Sequence, residues 1–73
     1  MVTMLAAMTP KAFGMRLRRE RLRKKWTQAD LAAQLGTTRE YVTRLEGGVH
    51  DPPLSTVGRL AKILRISIMK LVK

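Results

Sequence analysis

The side chains that could carry out catalytic or metal chemistry are few and scattered. There is one histidine, His50, and no cysteine, which excludes disulfides and thiolate metal sites and fits a reducing compartment. The five carboxylates (Glu20, Asp30, Glu40, Glu46 and Asp51) show no EF-hand, zinc or phosphate-loop spacing. Gly47-Gly48 is too little glycine to cradle a phosphate and reads as a helix stop. His50, beside Asp51, reads as a solvated turn residue. No catalytic residue, metal site or cofactor is expected, and the chain is not expected to be an enzyme. Its strongest chemical feature is charge: 15 Lys and Arg against 5 Asp and Glu give a net charge of +10. Such a balance points to a polyanion, either nucleic acid or an acidic membrane surface.

The elements that position these charges follow from spacing and caps. Seventy-three residues make one small domain, with 45% apolar residues to build its core. No run approaches the ~20 apolar residues of a membrane span. Residues 1–10 are apolar, uncharged and end in proline; they read as a flexible N-terminal arm, followed by one domain over 11–73. Eight basic residues (Lys11, Arg16, Arg18, Arg19, Arg21, Arg23, Lys24, Lys25) fall on a first helix, against the single acid Glu20. Phe13 and Leu17, with Met15 and Leu22 beside them, give it a narrow apolar stripe. Thr27 and Asp30 resemble a capping box for a second helix of about eight residues, which Gly36 ends. Thr38 can cap a third helix reaching Glu46, with Val42 and Leu45 inward and Arg39, Glu40, Thr43 and Arg44 outward. Asp51 is placed to cap a fourth helix after Pro52-Pro53, on which Leu54, Val57, Leu60, Ala61 and Leu64 recur at helical steps. Gly58 inside it costs about 1 kcal/mol relative to alanine. Ser67 can cap a last short helix carrying Ile68, Met69, Leu71 and Val72. The expected fold is all-α, a compact bundle of five short helices.

Two short helices joined by a glycine turn in so basic a chain have the form of a DNA-reading helix-turn-helix. Here the sequence resembles the phage-repressor and Cro-like helix-turn-helix family, also called the XRE family. The resemblance rests on Leu17-Arg18, Arg21, Trp26-Thr27-Gln28, Leu31-Ala32, Leu35-Gly36-Thr37-Thr38, Val42, Leu45-Glu46-Gly47-Gly48, Pro52, Leu54, Leu60-Ala61, Leu64 and Ile66-Ser67. It covers roughly residues 13–72 and implies a lambda-repressor-like DNA-binding domain. The sequence departs from the pattern at Lys25 and Arg65, where glycine is frequent, and at Pro53, where a serine cap is frequent.

The resemblance also implies roles at the matched positions. Arg39, Glu40 and Arg44 read bases in the major groove of double-stranded DNA, with Thr43 on the margin. Arginine suits the paired acceptors of guanine, and glutamate accepts from the amino group of cytosine. Gln28 grips a phosphate or orients recognition-helix side chains. Thr27, Thr37, Thr38 and neighbouring amides hold phosphate, as helix starts do. Tyr41 either reaches a phosphate through its hydroxyl or is a half-buried ring. Arg21 and Glu46 form a structural ion pair under the recognition helix.

Cations of the first helix (Arg16, Arg18, Arg19, Arg23, Lys24 and Lys25) supply backbone contacts or steering, which would make binding steeply salt-dependent, or else form a solubilising surface. The function expected is a sequence-specific transcriptional regulator, most simply a repressor, acting in a bacterial, archaeal or phage-type cytoplasm at the nucleoid. It would bind as a homodimer, at least on DNA, to a pseudo-palindromic operator, through the fifth helix or the loop before the fourth. The alternatives are a DNA-binding antitoxin or accessory protein that also takes a protein partner and, more remotely, a cationic protein at RNA or acidic membranes acting through residues 11–26.

Overall fold

Thr9 and Pro10 begin the first helix, one residue ahead of the expected start. In the computed structural model, which describes residues 9–49 and 51–73, helix α1 spans Pro10–Arg23. The Thr9 hydroxyl accepts the Ala12 amide at 3.0 Å, and Pro10 fills a first-turn position that needs no hydrogen-bond donor. The expectations for residues 1–8 and for His50 lie outside the described residues.

Helix α2 spans Gln28–Leu35 and opens on a complete capping box. The Asp30 amide donates to the Thr27 hydroxyl at 3.0 Å, and the Thr27 amide donates to the Asp30 carboxylate at 2.8 Å. Gly36, at φ 76°, ends it in the left-handed region. Helix α3, Arg39–Gly47, is capped by Thr38 and stopped by Gly48 at φ 71°. Helices α4, Leu54–Leu64, and α5, Met69–Val72, complete five helices among the described residues.

Leu31, Ala32, Leu35, Val42 and Leu45 from the helix pair meet Phe13 and Leu17 of α1, Val57, Leu60, Ala61 and Leu64 of α4, and Leu71 and Val72 of α5 in one core. Ala32 is buried, as a small residue under a crossing helix must be. Helix α3 packs on α1 and α2, whereas α5 closes against α1 and α4.

Several expectations need correction. Met15 and Leu22 do not belong to the buried stripe of α1: they are 64% and 51% exposed, because Phe13, Leu17, Glu20 and Arg21 take the inward positions. Leu54, the first residue of α4, is also exposed. Asp51 does not cap α4. Pro53 is the N-cap and offers no side-chain acceptor, and it stands between Asp51 and the first turn. Ser67 accepts the Met69 amide at 3.2 Å, two residues on, while Ile68 occupies the cap position of α5.

Lys25 and Arg65 occupy turns with φ of 60° and 56°. A side chain in that region costs roughly 1–2 kcal/mol, and glycine removes the cost while losing some chain entropy. Lys25→Gly and Arg65→Gly should therefore each raise stability by about 0.5–1 kcal/mol, read as a higher urea midpoint with an unchanged slope.

Candidate nucleic-acid interface

The two short helices present one polar face. Val42 and Leu45 anchor α3 inward, so Arg39, Glu40, Thr43 and Arg44 emerge exposed on its other side. Thr38 and Thr27, each at the start of a helix, are exposed, while Thr37 and Gln28 are half-buried. Thr38 accepts the Tyr41 amide at 3.1 Å, and the Thr27 hydroxyl is engaged in its own capping box. Tyr41 is a half-buried ring packed against the core.

Beneath this face lies a continuous polar network. The Arg21 guanidinium donates to both Glu46 oxygens, at 2.6 Å and 3.0 Å, and to the Trp26 carbonyl at 2.7 Å. The Arg21 and Glu46 side chains are only 8% and 4% exposed. Hydrogen bonding to Glu46 raises the Arg21 pKa above the ordinary arginine value; desolvation opposes this and the charge of Glu46 adds to it. The Gln28 amide nitrogen donates to Glu46 at 3.1 Å, and its oxygen accepts the Thr43 hydroxyl at 2.8 Å. Thr43 also lies 3.0 Å from the Arg39 carbonyl. A forked guanidinium–carboxylate pair on α1 and α3 thus holds the first side chain of α2, which in turn meets Thr43. Both helices of the pair are tied to the same buried charge.

The cations of α1 are divided between two flanks. Gly14 meets the end of α3, and at about 100° per residue Lys11 and Arg18 lie on that side, whereas Arg16, Arg19 and Arg23 lie roughly 140–180° round from Gly14. Arg23 stands 3.8 Å from Glu20, on the flank turned away from α3. Lys24 and Lys25 occupy the turn that leads into Thr27 and are exposed. The structure therefore does not bring Arg23 together with the polar face.

Three further residues emerge only from the structure. Glu20 is 2% exposed and pairs with Arg19 at 3.3 Å; its i,i+3 spacing to Arg23 is the one sequence signal of a local pair. Arg59 donates to the Leu35 carbonyl at 2.8 Å, satisfying an end of α2 that Gly36 leaves open. Gly14 lets α1 touch the backbone of α3, and an isolated glycine inside a helix is the signal that could have marked it. Among the described residues no cluster of His, Cys, Asp and Glu could hold a metal, and no helix is long and apolar enough to cross a membrane.

A family model described as a helix-turn-helix domain matches residues 12–68. Among solved structures, the restriction-modification controller protein C.AhdI from Aeromonas hydrophila is 35% identical, over 85% of this chain and 90% of that one, with a TM-score of 0.80. FeII HppE is 33% identical over 90% of this chain but only 35% of its own, with a TM-score of 0.82, so the likeness concerns a minor part of that protein. SinR, a master regulator for biofilm formation solved in complex with DNA, shares the fold at 21% identity, over 84% of this chain and 98% of that one, with a TM-score of 0.77. No curated protein matches the sequence. With the family match spanning most of its length and a bundle that superposes on such regulators, the chain belongs to the helix-turn-helix domain family, in its phage-repressor and Cro-like (XRE) branch, and has the fold of a DNA-binding regulator.

Proposed function

We propose that this protein is a sequence-specific, double-stranded-DNA-binding transcriptional regulator, most simply a cytoplasmic repressor, that reads a pseudo-palindromic operator as a dimer and has no catalytic role. The observation that carries this reading is the exposed face of α3, which mixes Arg39 and Arg44 with Glu40 above a buried brace. A surface meant only to attract phosphate would carry cations without the acid; balanced donors and acceptors suit base edges. Thr27, Gln28, Thr37, Thr38 and Tyr41, with Lys24 and Lys25 in the adjoining turn, are the phosphate contacts of this reading, and Arg23 is left out of the operator surface. Dimerisation is supported by exposed apolar residues at both expected places: Val49 and Leu54 bracket the loop before α4, and Ile68 and Met69 stand at α5. The likeness to a restriction-modification controller and to a regulator solved with DNA supports the same role.

Selection of bound sequences from a randomised duplex pool at near-physiological salt tests the reading. Enrichment of half-sites about one helical turn, ~34 Å, apart is the expected result. Binding that enriches nothing and vanishes as salt rises would overturn it. On the selected operator, Arg39→Ala or Arg44→Ala should each cost roughly 1–3 kcal/mol and flatten the preference at one base pair. Lys25→Ala should instead weaken all duplexes alike and reduce the salt slope by about one. Competition titrations against substituted operators separate the two behaviours.

A further inference from the structure

The outer face of α1 has no part in this reading, and it is not built like a merely solvated surface. Met15 and Leu22 are 64% and 51% exposed, and a spacing of seven residues places them nearly in line along the helix, about 10 Å apart. Arg18 and Arg19 stand on either side of that ridge, three and four residues beyond Met15, and Arg23 extends the second row. Glu20, the acid of this segment, is buried, with its carboxylate 3.3 Å from Arg19 and 3.8 Å from Arg23, so Arg16 and Arg18 are the cations of this face with no carboxylate partner among the described residues. Beside Met15 runs a shallow groove of about 410 Å³ lined by Ala12, Met15, Arg16 and Arg19. Arg16 lines it, and one of its terminal guanidinium nitrogens is buried without a hydrogen-bond partner. A buried donor of this kind calls for an acceptor, and for a guanidinium the best acceptor is an oxyanion.

Carboxylate and phosphate both meet that demand, and the ridge decides between them. A DNA backbone gains nothing from Met15 and Leu22, whereas protein interfaces are enriched in methionine and arginine and depleted in lysine. Between Ala12 and Arg23 every cation is arginine, whose planar fork suits carboxylates. An apolar line with cations on both sides is complementary to a helix carrying an apolar stripe flanked by Asp and Glu. We infer that the outer face of α1 docks an acidic amphipathic helix of another protein, with carboxylates on Arg16, Arg18 and Arg19 and apolar side chains on Met15 and Leu22. Arg18 borders the α3 side, but the ridge of Met15 and Leu22 and the flank of Arg16 and Arg19 are turned away from the crossing with α3, so the partner binds a protein that already holds DNA.

The test displays a library of helical peptides, roughly 15–20 residues long, to the full chain saturated with duplex DNA. Enriched peptides should repeat Leu, Ile or Phe at helical spacing with Asp or Glu on both flanks. Their binding should fall by roughly tenfold or more in Arg19→Glu and in the charge-neutral double variant Met15→Ser/Leu22→Ser. That double variant should keep its duplex affinity and its helical circular dichroism, since both side chains are exposed. Three outcomes overturn the inference: enrichment without the acidic and apolar pattern, peptides that bind the double-serine variant unchanged, or peptides displaced by added duplex. Capture of a second labelled duplex by the DNA-loaded protein, lost in Arg19→Glu but kept in the double-serine variant, would also overturn it by making the face a phosphate surface.

Discussion

Arg21→Ala should destabilise the domain by about 3–5 kcal/mol, the usual result of stripping one partner from a buried ion pair. The cost lies less in the lost attraction than in what remains. Glu46, 4% exposed, would keep its charge with only the Gln28 amide nitrogen as a side-chain donor, and the Trp26 carbonyl would lose a 2.7 Å bond. Small domains carry only roughly 5–15 kcal/mol in total, so the variant should melt on the order of 10–40 °C lower, at 4–8 °C per kcal/mol. Glu46→Ala should do at least as much harm, because Gln28 then loses its acceptor and with it the alignment that holds Thr43. Removing both charges, as in Arg21→Met/Glu46→Leu, should be less damaging than the sum of the single changes. Urea titrations of the three variants give the coupling, and strictly additive losses would count against a shared buried network. On the arginine side the linkage adds no pH dependence near neutrality. The pairing raises the Arg21 pKa, so its contribution is full below the ordinary arginine value and is lost only above it.

How much of this could be read from the residues depends on the range of the interactions. The two helices of the DNA-reading pair are bounded by caps within a few residues of one another: Thr27 with Asp30, Gly36, Thr38 and Gly48. Such signals are local and survive in sequence. The apolar face of α1 is different. Met15 and Leu22 are as hydrophobic as Phe13 and Leu17 but, at about 100° per residue, lie roughly 140–180° round the helix from them, and periodicity does not say which of the two opposed pairs meets the core. Glu20 is hidden by the same logic, since charged residues are almost never buried unless paired. Asp51 fails as a cap because two prolines decide where α4 begins. The Arg21–Glu46 pair spans 25 residues of sequence and is visible only through family resemblance. The division of the α1 cations between two flanks requires knowing where α3 packs, which no local pattern encodes.

The least legible residue, Gly14, should give the second large effect, because the usual rule for a helical glycine reverses there. Alanine in a helix interior gains about 1 kcal/mol over glycine, so Gly14→Ala ought to help. A Cβ at that position would lie 2.5 Å from the carbonyl oxygens of both Leu45 and Glu46 and 2.8 Å from the Glu46 carbonyl carbon. These are backbone atoms of the last turn of α3, and they cannot rotate aside as a side chain can. At the same crossing a Cβ on Gly48 would meet the Lys11 Cα at 2.7 Å, so the two helices touch backbone to backbone through paired glycines. Gly14→Ala must therefore move α3 away from α1, at an overpacking cost of about 1–3 kcal/mol or more, and carry Glu46 away from Arg21 as it does so. We expect a melting temperature lower by roughly 5–20 °C and a larger loss of affinity for the selected operator than for random duplex, since only base reading depends on the seating of α3. Gly58→Ala is the matched control: it too lies inside a helix, but its added Cβ meets nothing within 4 Å. That change should stabilise by about 0.5–1 kcal/mol. Opposite signs for the same substitution on two helices would locate the constraint in the α1–α3 crossing, and a stabilised Gly14→Ala would mean that the crossing has slack which this structure does not show.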